Sequence, residues 1–130
     1  FERHRMMNSG LRAGLQAMGL ELFGDAQYRM ENVTGVFIPS AVDGEAVRHD
    51  MLATFGIEIG TSFGPLHGQI WRIGAMGHVC RKKNILRCLH SLATAMEQRG
   101  YAVPINAGVD AAEKYFENFE SVDQSEATSV

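Results

Sequence analysis

An apolar strand with an arginine at its centre constrains this chain more than any other feature. Residues 69–77 read Gln-Ile-Trp-Arg-Ile-Gly-Ala-Met-Gly. Ile70, Trp71 and Ile73 favour extended backbone, and Gly74 and Gly77 let it end sharply. Successive side chains on a strand leave opposite faces. Trp71 and Ile73 therefore share one face, and Ile70, Arg72 and Gly74 the other. A charge within so apolar a strand costs free energy unless an anion meets it. Gly74, two residues on, leaves open space beside a planar fork of donors, and such a fork suits a carboxylate or a phosphate. The same spacing is equally compatible with an arginine paired to an internal Asp or Glu, or with one reaching solvent at a sheet edge.

The rest of the chain supplies partners for that strand. Residues 2–19 place Met7, Leu11, Leu15 and Met18 at helical spacing. Gly10 and Gly14 weaken this helix by about 1 kcal/mol each relative to Ala, and they suit close packing on a sheet. Residues 33–38 read as a strand closed by Pro39, with two mostly apolar faces. Residues 45–55 read as a short helix with Val47, Met51 and Phe55 on one stripe, Asp43 as its N-cap and Gly56 at its end. Residues 57–59 alternate as a short strand, and a glycine-containing loop leads on to the arginine strand. Residues 81–99 form the longest helix, with Ile85, Leu89, Leu92 and Met96 on one stripe. Residues 109–119 form a further candidate helix carrying Ala112, Tyr115, Phe116 and Phe119.

This order predicts an α+β fold: a small antiparallel or mixed sheet of three to four strands, with helices packed on one face. Trp71 and Ile73 then face the helices, and Arg72 the bare side. With 45% hydrophobic residues in 130, the chain builds one core and not two. That core is expected within residues 1–119, and the acidic, apolar-poor residues 120–130 read as a disordered tail.

Charge and cysteine usage exclude several classes of function. A net charge of −3 without a basic stripe gives no reason to expect nucleic acid as a partner. No apolar run approaches the ~20 residues that span a bilayer, so no membrane partner is expected. Cys80 and Cys88 are compatible with a reducing cytoplasm. On one helix they would stand about 12 Å apart at ~1.5 Å per residue, too far for a disulfide. With His78 and His90 they complete no metal motif, so no metal site is expected. Arg81, Lys82 and Lys83 open a helix, where cations oppose the macrodipole, and read as a solvated face.

The run Gly64-Pro65-Leu66-His67-Gly68-Gln69-Ile70-Trp71-Arg72-Ile73-Gly74-Ala75-Met76-Gly77 resembles the C-terminal small domain of class V aminotransferases, fold-type I enzymes that use pyridoxal phosphate. Phe55-Gly56-Ile57-Glu58-Ile59-Gly60 resembles the segment ahead of the family's arginine strand, and residues 4–20 its helix entering the small domain. Within the family the chain is most similar to the alanine/serine–glyoxylate branch, and there to the ureidoglycine–glyoxylate aminotransferases of purine breakdown. The resemblance covers about residues 1–100.

The resemblance implies an amino-group transfer from a small amino donor to an oxo acid such as glyoxylate, in a homodimeric, cytoplasmic enzyme. It implies that Arg72 binds the substrate carboxylate, and that the loop bearing Ser62 and Phe63 lines the mouth of the site. His78 stands where close relatives carry an aromatic residue, and is a candidate for shaping the substrate pocket. His67, on the other side of the strand, is a further imidazole of suitable chemistry. The family's cofactor is held by a lysine in a small-residue, Ser/Thr-rich context. The three lysines here, Lys82, Lys83 and Lys114, have no such context, and no Gly-rich phosphate loop follows a strand. The chain is therefore expected to be a fragment of a longer enzyme. It should hold no catalytic residue and no pyridoxal phosphate by itself, and be completed by a large cofactor domain. The alternative is a free-standing α+β module that binds a small anion or a neighbouring subunit.

Overall fold

A computed structural model describes the backbone of residues 2–23, 33–61, 68–74 and 81–128, and the side chains of residues 5–23, 34–61, 68–73 and 81–119. The elements in chain order are α1 (Glu2–Ala17), β1 (Val33–Phe37), α2 (Gly44–Phe55), β2 (Gly60–Thr61), β3 (Ile70–Gly74), α3 (Lys82–Gln98) and α4 (Ile105–Thr128). The three strands form one antiparallel sheet in the order β1-β3-β2. This is the α+β architecture expected from the sequence, with the arginine strand at the sheet's centre.

Local signals set the ends of α2. The Asp43 side chain accepts a hydrogen bond from the Ala46 N–H at 3.1 Å, the expected N-cap. Gly56 closes the helix in the left-handed region at φ 68°, a conformation that disfavours any residue with a Cβ. The Arg87 guanidinium donates to the Phe55 carbonyl, adding a cation to the C-terminal end of the helix. A bidentate pair then ties the middle of α2 to the end of α3: Arg99 Nε and Nη2 reach Asp50 at 2.7 and 2.9 Å.

The core lies between one face of the sheet and the helices. Val36, Trp71 and Ile73 are buried from the sheet, and they join Leu11, Leu15, Met51, Leu89, Leu92, Met96 and Phe116 in one cluster. The Trp71 ring is wholly buried, and its N–H donates to the Gly44 carbonyl at 3.2 Å. The sheet's central residue is thereby fastened to the start of α2, and the one polar atom of the indole is satisfied.

Three features differ from the sequence reading. Gly10 and Gly14 serve a helix contact and not the sheet. A Cβ at Gly10 would lie 2.3 Å from the Phe116 ring. One at Gly14 would lie 2.4 Å from Leu89 and 2.8 Å from the Gly108 carbonyl. Helix α1 thus sinks into α3 and α4 where side chains are missing. Residues 57–59, read as a strand, pair with no strand among the described residues; the ladder forms one step later at Gly60–Thr61. The buried Ile59 earns its place by packing on the core, and Ile57 packs beside it. Finally, α4 starts before residue 109 and runs to Thr128, so helical backbone continues into the stretch whose polarity reads as a tail. No Gly or Pro follows Gly108 to interrupt it.

Candidate functional site

The alternation of β3 separates Trp71 from Arg72 as expected. Trp71 and Ile73 are buried in the core, while Arg72 is exposed on the opposite face. That face is not uniformly bare, because Ile70, also on it, is 1% exposed. Register shows what surrounds the arginine. Arg72 stands level with Gly35 of β1 on one side and Gly60 of β2 on the other. Cross-strand neighbours normally place two side chains within contact distance; here both are absent. A Cβ at Gly60 would meet only Arg72 itself, 3.6 Å from its Cβ and its carbonyl. Both cross-strand neighbours of Arg72 thus lack side chains; beside Gly60 the space stays open, while Phe23 lies against Gly35. Gly74, which the sequence singles out, lies further along β3 opposite Val33.

Arg72 makes no hydrogen bond, ion pair or ring contact to protein among the described residues. Among the described residues no internal ion pair accounts for it, and β3 is the central strand and not a sheet edge. Other arginines of known partner are engaged: Arg48 with Glu45 at 3.0 Å, Arg99 with Asp50, and Arg87 with a backbone carbonyl. Five donors in a fixed fork are thus left facing outward in a notch of backbone. Such a group can take a planar anion through two parallel hydrogen bonds.

Ser62, Phe63, His67 and His78 lie outside the described residues. Lys83 and Lys114 are exposed on helices. Lys82 rests its ammonium 5.9 Å from the centre of the Phe116 ring. All three lie on α3 and α4, in the helical layer that packs with Trp71. Among the described residues no group of His, Cys, Asp and Glu could hold a metal ion, and no helix is long and apolar enough to cross a membrane. The Cys88 thiol is buried on α3, and burial pushes its pKa up to about 12, so it stays protonated and unreactive at neutral pH.

Sequence reasoning missed the two flanking glycines. A strand's sequence carries its own alternation but not its register against a partner 37 residues away in the chain.

Comparison with known proteins places the chain beside aminotransferases. The chain is 49% identical over 118 residues, 91% of its length, to the (S)-ureidoglycine–glyoxylate transaminase of Bacillus subtilis. The chain's homologues are aminotransferases. It superposes on the crystal structure of the Bacillus subtilis ureidoglycine–glyoxylate aminotransferase with a TM-score of 0.86 over 90% of its length. On the pyridoxamine–pyruvate aminotransferase of Mesorhizobium loti, 29% identical, the TM-score is 0.83. No family model matches the chain. The chain spans 28% of the length of the Bacillus subtilis relative and 30% of either superposed chain. The aminotransferase family thus agrees with the resemblance read from the arginine strand.

Proposed function

We propose that this chain is the C-terminal small domain of a pyridoxal phosphate-dependent aminotransferase, with residues 1–119 as the domain, and that Arg72 binds the substrate carboxylate. The observation that carries the proposal is an exposed, unengaged guanidinium at the centre of the sheet, flanked by Gly35 and Gly60. Its donor fork matches the α-carboxylate shared by an amino donor and an oxo acid. Holding that carboxylate fixes the rest of a small substrate, so binding energy is used for orientation.

The cofactor, when bound, supplies the electron sink for moving the amino group. The chain's own lysines do not suit it, so the lysine that holds it belongs to the large domain outside this chain. The names of the relatives favour glyoxylate as acceptor and ureidoglycine as donor, and with them a role in purine breakdown. A homodimer in the cytoplasm completes the reading; a buried free cysteine is at ease in a reducing compartment.

The test is Arg72→Ala in the full-length enzyme. Loss of a charge-assisted bidentate contact removes roughly 2–5 kcal/mol of transition-state binding. That is about 30- to several-thousand-fold in kcat/KM at ~1.4 kcal/mol per tenfold. Arg72→Lys falls substantially too, because an ammonium cannot reproduce the fork. Urea unfolding of the 130-residue chain should barely change. A large stability loss with unaltered oxo-acid affinity makes Arg72 part of the scaffold and overturns the proposal.

A further inference from the structure

The face that carries Arg72 extends one step beyond β1. Leu22 bridges Val36 in antiparallel fashion; the Phe23 N–H donates to the Gly35 carbonyl at 2.8 Å, and the Phe37 N–H to the Glu21 carbonyl at 2.8 Å. Leu22 packs against the core, so its neighbour Phe23 points to the other face. Four residues then stand level across the sheet on one side: Phe23, Gly35, Arg72 and Gly60.

The absence of a side chain at Gly35 lets Phe23 lean inward along this row. A Cβ at residue 35 would lie 3.2 Å from both Cβ and Cδ1 of Phe23. That distance is too tight unless the phenylalanine gives way. From its other side Phe23 meets Phe37 edge-on, with ring centres 5.6 Å apart at 80°. A ring fixed in this way remains 40% exposed, one of two large hydrophobic side chains so exposed among the described residues. It stands on the same open face as the unengaged guanidinium, and makes no cation–π contact with it. An apolar surface and a donor fork separated only by a glycine suit a small molecule with a carboxylate at one end and carbon at the other.

We propose that Phe23, held by Gly35 and Phe37, is the apolar flank of the Arg72 site. It packs on the carbon skeleton of a short oxo or amino acid whose carboxylate Arg72 holds, and it keeps water off the ion pair. This rests on the reading of Arg72 as a carboxylate ligand. Phe23 contributes binding that is equal in ground and transition states, so its loss appears in KM and not in kcat. Shielding from water also weakens salt screening, so KM should become more dependent on ionic strength when the ring is gone.

The experiment is steady-state kinetics of the full-length aminotransferase with glyoxylate as acceptor. Four variants are compared: Phe23→Ala, Phe23→Leu, Gly35→Ala and Arg72→Ala. Phe23→Ala should raise the glyoxylate KM about tenfold, leave kcat within about twofold, and steepen the rise of KM with added salt. Phe23→Leu should recover most of the affinity. Gly35→Ala, which forces the ring aside, should reproduce part of the loss, and it carries the test if Phe23→Ala does not fold. A large KM effect of Arg72→Ala beside an unchanged KM in Phe23→Ala and Gly35→Ala overturns this inference alone. A fall in kcat at constant KM in the Phe23 variants also overturns it. If Arg72→Ala leaves KM unchanged, the carboxylate reading falls and this inference with it.

Discussion

Gly14 and Gly60 are the same residue used in opposite ways on the two sides of this domain. On the packed side, α1 presents Gly10 and Gly14 to its neighbours, and every missing side chain is filled: by Phe116, by Leu89, and by the carbonyl of Gly108. Gly108 in turn makes room for Met18. On the open face, Gly60 meets only the arginine beside it, at ordinary contact distance. The first use brings backbones together for dispersion and burial. The second keeps a charged side chain clear of its neighbours. Glycine marks a place where a side chain is missing; what occupies the space depends on the partner.

The largest effect is expected in the strand that serves both sides. Trp71→Ala should cost the 130-residue chain about 3–5 kcal/mol in urea, the usual range for a buried aromatic truncated to Ala. It also removes the hydrogen bond to Gly44. A loss below ~1 kcal/mol would mean that β3 does not organise the core. A smaller effect is expected at the helix contact. Gly14→Ala gains about 1 kcal/mol of helix propensity, but its Cβ meets a leucine and a backbone carbonyl. Overpacking of roughly 1–3 kcal/mol should win, leaving a net loss. Gly60→Ala should stay within about 0.5 kcal/mol. Equal effects at residues 14 and 60 would abolish the distinction drawn here.

The smallest effect is at the rim of the packed side. Hydrogen bonding to Arg99 holds the Asp50 carboxyl below its ordinary value. A lowered folded-state pKa stabilises the fold above the unfolded value of about 3.9, and that stability is lost as pH falls through the lowered one. Asp50→Asn should therefore lower the urea midpoint slightly at pH 7. The difference from the parent chain should shrink as the solution is acidified below pH ~4 and vanish once the carboxyl is protonated. A gap that persists at the lowest pH would assign the effect to packing and not to charge.

The elements legible in the sequence are those whose signals are local. Asp43 and Gly56 bracket α2 because caps act within one turn. The stripes of α1 and α3 and the alternation of β3 are likewise visible over a few residues. The strand expected at residues 57–59 formed at Gly60–Thr61 because pairing is decided by the partner. Isoleucine alternation at 57–59 reflects contact with the core, which a segment outside the sheet satisfies as well as a strand does.

At the site, the period of one strand already puts Arg72 on the opposite face from Trp71. A run of residues whose order is shared also carried the resemblance to aminotransferases, with which the homologues agree. Tertiary structure set Gly35 and Gly60 beside the guanidinium, laid Phe23 against Gly35, and turned the glycines of α1 towards helices and not the sheet. Those facts depend on cross-strand register and helix docking. Both are set by the summed burial of residues far apart in the chain, and no local pattern contains that sum.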